Sequence, residues 1–126
     1  RILELPEVRL PENPSAAQIQ AALEKEREAV LQKLPKNCWL CVLTPEGKLL
    51  SSEKLADKLQ TVRNNGKSEL VFLIGSSFGL DQALKQQGDF QLSMSPMTFP
   101  HHLARIMVLE QIYRAESILA GSKYHK

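Results

Sequence analysis

Hydrophobic positions along the chain follow two spacings, one typical of strands and one typical of helices. Short apolar runs at residues 2–5, 38–43, 69–74 and 90–93 have the length and composition of β-strands. Between them, apolar residues recur every three or four positions, which predicts helices. The run 69–74 is almost continuously apolar, as expected for a central strand covered on both faces of a parallel sheet. The pattern predicts one α/β domain over the whole chain, with a mostly parallel sheet flanked by helices.

Local signals mark where the helices begin and end. Ser15 followed by Gln18 three residues later has the form of a capping box, and Pro35 ends the helix that follows. A second helix is predicted to start at residues 51–52 and to end at residues 64–66, where two asparagines precede a glycine. These boundaries separate the predicted strands by helices of ordinary length.

The last predicted helix, residues 101–119, is apolar around most of its circumference. Eleven of the seventeen residues from 103 to 119 are apolar. Such a helix is buried on more than one side, and at the end of a small domain the second side is expected to face another subunit. We therefore expect a homodimer through this helix. A shorter helix is predicted around residues 81–86.

Composition and charge narrow the functional classes. The 126 residues are 43% hydrophobic and 24% charged, and 16 Lys and Arg against 14 Asp and Glu give a net charge of +2. No apolar run approaches the ~20 residues of a membrane helix, so no membrane partner is expected. The mild charge excludes nucleic-acid binding through bulk charge, so RNA would be recognised locally. No secretory signal is evident, which makes the cytoplasm the expected location.

The two cysteines form a C-x-x-C sequence, Cys38 and Cys41, which is compatible with a redox pair or half of a zinc site. Residues three apart on a strand point to opposite faces, so their sulfurs should diverge. A zinc site needs two further ligands, and the chain has no second Cys pair and no histidines with finger spacing. We expect no metal and interpret both residues as small hydrophobic side chains.

Glycine-containing segments offer two candidate ligand loops. Residues 66–68 (GKS) resemble the end of a phosphate-binding loop, but Thr61 stands where that motif needs glycine, and the segment precedes a strand instead of following one. Residues 75–79 are better placed, because open α/β sheets bind ligands beyond the carboxyl ends of their strands. This loop alone is equally compatible with a plain strand-to-helix turn. Together with residues 43–48 and 94–100, it could line one pocket.

Polar residues with chemical potential concentrate near the C-terminus. They are His101, His102, Arg105, Glu110, Arg114 and the tail Tyr124, His125 and Lys126. Glu110 and Arg114 have the i, i+4 spacing of a simple surface ion pair, and the histidines could merely solvate a helix start. The tail is harder to explain in this way, since a frayed terminus seldom needs an aromatic ring, an imidazole and a cation together.

Four motifs in this order carry a resemblance to a known family. They are LIG at 73–75 with FG at 78–79, MTFPH at 97–101, LEQIYRA at 109–115 and YHK at 124–126. The chain resembles, over nearly its whole length, the ribosomal RNA large subunit methyltransferase H family, the small SPOUT-class pseudouridine methyltransferases. The last two motifs are the most specific.

The resemblance implies a fold, a reaction and a set of binding residues. It implies a SPOUT-type α/β domain with a C-terminal trefoil knot, working as a cytoplasmic homodimer. The implied reaction is S-adenosylmethionine-dependent methylation of N3 of a pseudouridine in 23S ribosomal RNA within the ribosome, with no DNA substrate. The family's cofactor contacts fall on Leu43, Gly75, Met94, Ser95, Pro96, Met97, Thr98 and Phe99.

Loss of the imide proton suggests roles for the C-terminal residues. We expect His125 to accept the proton, Arg114 to stabilise the developing charge or hold a phosphate, and Tyr124 to position the base. His101, Arg105 and Lys126 are the expected RNA contacts. Positioning should supply most of the rate, because methyl transfer from a sulfonium needs little covalent help.

The chain departs from the family pattern in two places, and the first of them, in the cofactor loop, keeps a non-catalytic function open. Ser76 stands where relatives commonly carry a second glycine, and the strand and helix with which the family usually begins are expected to be missing before Ile2. One alternative is a non-catalytic RNA-binding or ribosome-associated module of the same fold. A flavodoxin-like binder of small ligands is another, but it gives no reason for the tail.

Overall fold

A computed structural model describes residues 2–4, 12–67, 69–75, 80–121 and 124. For residues 2–4 and 101 it describes the backbone, and for the others it describes the side chains as well. Strands and helices alternate along it, as predicted. The elements are β1 (Ile2–Glu4), α1 (Ala16–Lys33), β2 (Cys38–Leu49), α2 (Ser52–Asn64), β3 (Glu69–Ile74), α3 (Gln82–Gln87), β4 (Phe90–Ser93) and α4 (His101–Leu119).

The described strands form one four-stranded sheet in the order β1-β3-β2-β4. Every pairing between them is parallel, with Cys41 of β2 opposite Phe72 on β3 and opposite Phe90 on β4. The predicted α/β class with a parallel sheet is therefore confirmed. The trefoil knot implied by the resemblance stays a prediction.

Both faces of the sheet are covered because alternate strand residues enter two separate cores. Trp39, Cys41 and Phe72 pack with α2 and α4 on one face. Leu40, Val42, Val71 and Leu73 pack on the other face, with Val30 of α1 and Leu84 of α3. This period-two division explains why β3 is continuously apolar in sequence. It makes β2, which has a hydrogen-bonded neighbour on each edge, the centre of the domain.

The helix signals in the sequence correspond to observed caps. The Ser15 side chain accepts from the backbone of Gln18 while the Gln18 side chain accepts from the backbone of Ser15, so the predicted capping box is present. Ser51 caps α2, and Asp81 caps α3 by accepting from Ala83 and Leu84. Satisfied caps at three helix starts fix the directions in which the chain leaves the strands.

The strand predicted at residues 38–43 is longer in the structure than the apolar run indicates. β2 continues to Leu49, with a register shift in which Leu43 and Lys48 both lie opposite Leu92 of β4. Gly47 allows the chain to return, because a Cβ there would lie 2.8 Å from the backbone of Gln91. The hydroxyl of Ser93 also donates to the Pro45 carbonyl at 3.0 Å. Residues 44–47 thus bulge out and rejoin the sheet edge.

The cysteines behave as the strand geometry predicts. Both are free; Cys41 is in the core shared with α2 and α4, and Cys38 packs against the opposite core. Burial raises the pKa of the Cys41 thiol to about 12, which keeps it protonated and unreactive. Within the described residues, no group of three or more His, Cys, Asp or Glu side chains is placed to hold a metal. No described helix has both the length and the apolar character to cross a membrane.

We predict that Gly47→Ala destabilises the domain, because the added methyl group collides with the backbone of β4. The expected loss is about 1–3 kcal/mol in the free energy of unfolding, as for other overpacked sites. Denaturant unfolding measures this loss. Lys48→Ala, at the exposed neighbouring position, serves as the control and should stay within about 0.5 kcal/mol of the parent. Equal unfolding free energies for the two variants would contradict the close-approach explanation.

Candidate active site

A cavity of about 600 Å³ opens where β2, β3 and β4 reach their carboxyl ends. Its size is within the range of small-molecule sites, and its position is the one that open α/β sheets use for ligands. Most of its walls are apolar. The lining residues are Leu43, Thr44, Pro45, Ile74, Gly75, Leu80, Lys85, Met94, Ser95, Met97, Thr98, Phe99, Pro100, His102, Ala104, Met107 and Val108.

The structure brings the three strand-end segments named in the sequence analysis to this one cavity. Seven of the eight residues expected to contact a cofactor line it: Leu43, Gly75, Met94, Ser95, Met97, Thr98 and Phe99. Pro96 is exposed and is not among the lining residues. Ser76 lies outside the described residues. The parallel sheet is the physical cause of this convergence, because it places the ends of neighbouring strands at the same edge.

Sequence reasoning missed several cavity walls. Lys85 comes from α3, and Met107 and Val108 come from the second turn of α4. A helix that follows a strand-end loop begins beside that loop, so the first turns of α3 and α4 could have been included on that ground. The identity of the lining side chains depends on how the helices rotate, which the hydrophobic pattern of α4 leaves open because it is apolar on most sides.

The hydroxyl side chains of Thr44, Ser95 and Thr98 supply polarity to the cavity. Thr44 is buried, and its Oγ1 has no hydrogen-bond partner of normal geometry among the described residues. Ser95 Oγ accepts from the backbone N–H of Met97 at 3.0 Å, which shapes the loop after β4. The side chains of Lys85 and Thr44 contribute to the lowered pKa of the nearby Glu46 carboxyl, and because the Thr44 hydroxyl makes no hydrogen bond of normal geometry it is suited to bond to a bound molecule as well.

An ion pair lies at the cavity wall. Lys85 Nζ donates to Glu46 Oε1 at 2.6 Å, and the hydrogen bond lowers the pKa of the Glu46 carboxyl below its usual value. Glu46 belongs to the bulge of β2, whereas Lys85 belongs to α3. The pair therefore joins two of the segments around the cavity.

A second polar cluster forms on α4, where the C-terminal tail contacts the helix. Arg114 donates through Nη2 to Glu110 at 2.7 Å, and the Tyr124 hydroxyl lies 2.9 Å from both Glu110 oxygens. The Arg114 guanidinium lies 5.0 Å from the centre of the Tyr124 ring, and Tyr113 meets that ring edge-on at 4.7 Å. The structure thus brings together Arg114 and Tyr124, two of the three residues expected to be catalytic.

The cluster and the cavity of the same chain are separate. Met107 lines the cavity, while Arg114 lies seven residues further along α4, a rise of roughly 10 Å. Neither Arg114 nor Tyr124 is a lining residue. His125, Lys126 and the side chain of His101 lie outside the described residues, and Arg105 is exposed. His102, which was not singled out as a contact, lines the cavity.

Comparison with known proteins decides the family. Residues 1–125 match the model of a family described as a predicted SPOUT methyltransferase. The chain is 44% identical over 125 residues to ribosomal RNA large subunit methyltransferase H of Alkaliphilus oremlandii, covering 99% of this chain and 79% of the relative. The chain belongs to the SPOUT methyltransferase family. The enzyme of the same name from Halothermothrix orenii is 43% identical, with the same coverage.

SPOUT methyltransferases take the transferred methyl group from S-adenosylmethionine, and the cavity of this family member fits that cofactor. Apolar walls suit the adenine ring and the carbon chain of the cofactor, and the buried Thr44 hydroxyl can bond to a polar edge. The glycine at position 75 lets a ligand approach the backbone at the end of β3. Leu43, Met94, Thr98 and Phe99 are placed to enclose it.

We predict that Glu110→Gln lowers the pKa of the Tyr124 phenol. The hydrogen bond to the Glu110 carboxylate raises this pKa above its ordinary value, because the negative charge favours the protonated phenol. Tyrosinate absorbance in a Tyr113→Phe background reports Tyr124 alone, since the chain has two tyrosines. Glu116→Gln is the control, because Glu116 pairs with Arg63 instead. An unchanged titration in the Glu110 variant would show that Tyr124 does not contact Glu110.

Proposed function

We propose that this chain methylates N3 of a pseudouridine in the 23S RNA of the large ribosomal subunit, in the cytoplasm. Its relatives are named for methylation of large-subunit ribosomal RNA. The observation that carries the proposal is the combination of an apolar cavity at the strand ends with the Arg114–Tyr124 cluster further along the same helix. A non-catalytic RNA-binding module of this fold would not need a cofactor cavity in addition to the polar cluster.

The reaction needs a methyl donor, which the cavity at the start of α4 holds, and groups that act on the RNA base, which the polar cluster near the end of α4 and the tail supply. When bound, S-adenosylmethionine supplies an electrophilic methyl group. The attacking imide nitrogen must lose its proton, which His125 accepts as a general base. Arg114 stabilises the negative charge that develops on the base, and Tyr124 positions the ring. Glu110 orients both residues, because Arg114 and the Tyr124 hydroxyl each bond to its carboxylate.

The separation of cluster and cavity supports a composite site in a homodimer. One strip of α4 is apolar and exposed, with exposed fractions of 44% for Leu103, 63% for Ile106, 48% for Leu109 and 57% for Tyr113. The strip follows α4, at helical spacing, from the turns that line the cavity to the polar cluster, where Tyr113 contacts Tyr124. Two copies that pair through this strip bring the tail of one chain to the cavity of its partner.

RNA recognition in this proposal is local. Arg105 is exposed on the first turns of α4, close to the cavity-lining His102. His101 and Lys126 extend the same role at the start of α4 and at the tail. Because the net charge is only +2, affinity for RNA depends on such local contacts with a structured ribosomal surface.

The first test is transfer of labelled methyl groups from S-adenosylmethionine to ribosomes. His125→Ala and Arg114→Ala should each lower the rate by about 10²-fold or more, as expected for loss of a base or of a charge-stabilising group. Arg63→Ala is the control, because Arg63 pairs with Glu116 away from the cavity. Parent-like rates in both of the first two variants would overturn the catalytic assignment.

A second test mixes two inactive variants. Ser95→Trp fills the cavity, and Arg114→Ala removes the α4 cation that the tail contacts through Tyr124. A mixed dimer contains one intact site only if each site combines the cavity of one chain with the tail of the other. Random exchange should therefore restore about a quarter of the parent activity. No restored activity, with exchange verified by mass spectrometry, would place cavity and tail of each site in the same chain.

A further inference from the structure

The Lys85–Glu46 ion pair at the cavity has no part in the roles assigned above. Lys85 lines the cavity, and its side chain is 15% exposed, whereas Glu46 is next to the lining residues Pro45 and Lys85 without being one itself, and its side chain is 61% exposed. Apart from Lys85 and His102, the described lining residues have no ionisable side chains. The pair therefore places the Lys85 ammonium group among apolar walls, with the Glu46 carboxylate beside it towards solvent.

We propose that Lys85 and Glu46 recognise the amino-acid end of S-adenosylmethionine, with Lys85 bonding to its carboxylate and Glu46 to its ammonium group. This inference rests on the proposed function. The rest of the cofactor presents an adenine ring, a ribose and a sulfonium, none of which is anionic. A zwitterion is the part of the molecule that two adjacent opposite charges fit best.

The donors and acceptors of the pair allow this without breaking it. An ammonium group has three N–H donors, and the bond to Glu46 Oε1 uses one of them. The other Glu46 oxygen is able to accept from a ligand ammonium group. Because Lys85 is more enclosed than Glu46, this arrangement directs the carboxylate of the ligand inward, to Lys85, and the ammonium group of the ligand towards solvent, to Glu46.

Glu46 has a second electrostatic effect. A lone lysine charge in the cavity would repel the positive sulfonium, and the repulsion would be stronger in a poorly solvated site. The carboxylate of Glu46 offsets that charge at a distance of 2.6 Å. The pair thus attracts the carboxylate while limiting repulsion of the sulfur centre.

The backbone of α3, which carries Lys85, is fixed by hydrogen bonds at both of its ends. Asp81 caps α3 by accepting from Ala83 N at 2.9 Å, and Arg27 of α1 donates to the same carboxylate at 2.9 Å. Gln91 of β4 donates to the Lys85 carbonyl at 3.2 Å. A short helix fixed in this way presents its lysine with little loss of conformational freedom on binding.

The test compares two ligands by isothermal titration calorimetry. S-adenosylhomocysteine carries the amino-acid group, and 5′-methylthioadenosine shares the adenosine and thioether but lacks it. In Lys85→Met, which keeps the aliphatic stem, affinity for S-adenosylhomocysteine should fall about tenfold or more, as for loss of a charged hydrogen bond. Affinity for 5′-methylthioadenosine should change less than about twofold, because that ligand has no charge for Lys85 to contact.

Further variants complete the test. Glu46→Gln, at an exposed position that tolerates substitution, should also weaken S-adenosylhomocysteine selectively. Lys85→Arg should retain most of the parent affinity, since the guanidinium can bond to a carboxylate. Lys54→Met, exposed on α2 and away from the cavity lining, is the matched control and should bind both ligands as the parent does.

The two failures are distinguishable. If the parent chain binds neither ligand, the proposed use of S-adenosylmethionine falls. If the parent binds both, but Lys85→Met and Glu46→Gln leave S-adenosylhomocysteine affinity unchanged or weaken both ligands equally, the assignment of this pair is wrong while the cofactor cavity stands.

Discussion

The rest of the structure depends on the position of β2, which is buried on both faces and paired along both edges. Its alternating side chains enter two cores, one shared with α2 and α4 and the other with α1 and α3. Because β3 and β4 pair in parallel with it, the three strands end at one edge of the sheet. The cavity is the space left between those ends and the start of α4. Packing of one central strand therefore fixes where a ligand can bind.

The bulge in β2 converts that edge into a site with both apolar and polar walls. Residues 44–47 leave the sheet and return, which brings Thr44 and Pro45 to the cavity and places Glu46 within reach of Lys85. The return requires backbone contact between Gly47 and Gln91, which a side chain at position 47 would prevent. The position of Glu46 beside Lys85 therefore depends on the glycine at position 47.

Local signals predicted the features that are encoded locally. The capping box at Ser15, the bounds of α4 and the continuous apolar run of β3 depend on neighbouring residues, and the structure has them as the pattern indicates. The extension of β2 depends instead on a contact with β4, and the Lys85–Glu46 pair joins residues 39 positions apart. No spacing rule reports such contacts. The convergence of three loops was predictable, because parallel topology alone requires it, whereas the side chains that α3 and α4 turn towards the cavity were not.

The central claim is that the strand-edge cavity is where this methyltransferase holds S-adenosylmethionine. Hydrogen exchange of the backbone amides, measured with and without the cofactor, tests it most directly, because exchange slows where a ligand orders or covers the chain. The account predicts slower exchange in residues 43–47 and 94–99, with α2 unchanged on its exposed side. Protection confined to segments away from the cavity, at cofactor concentrations that saturate binding, would contradict it.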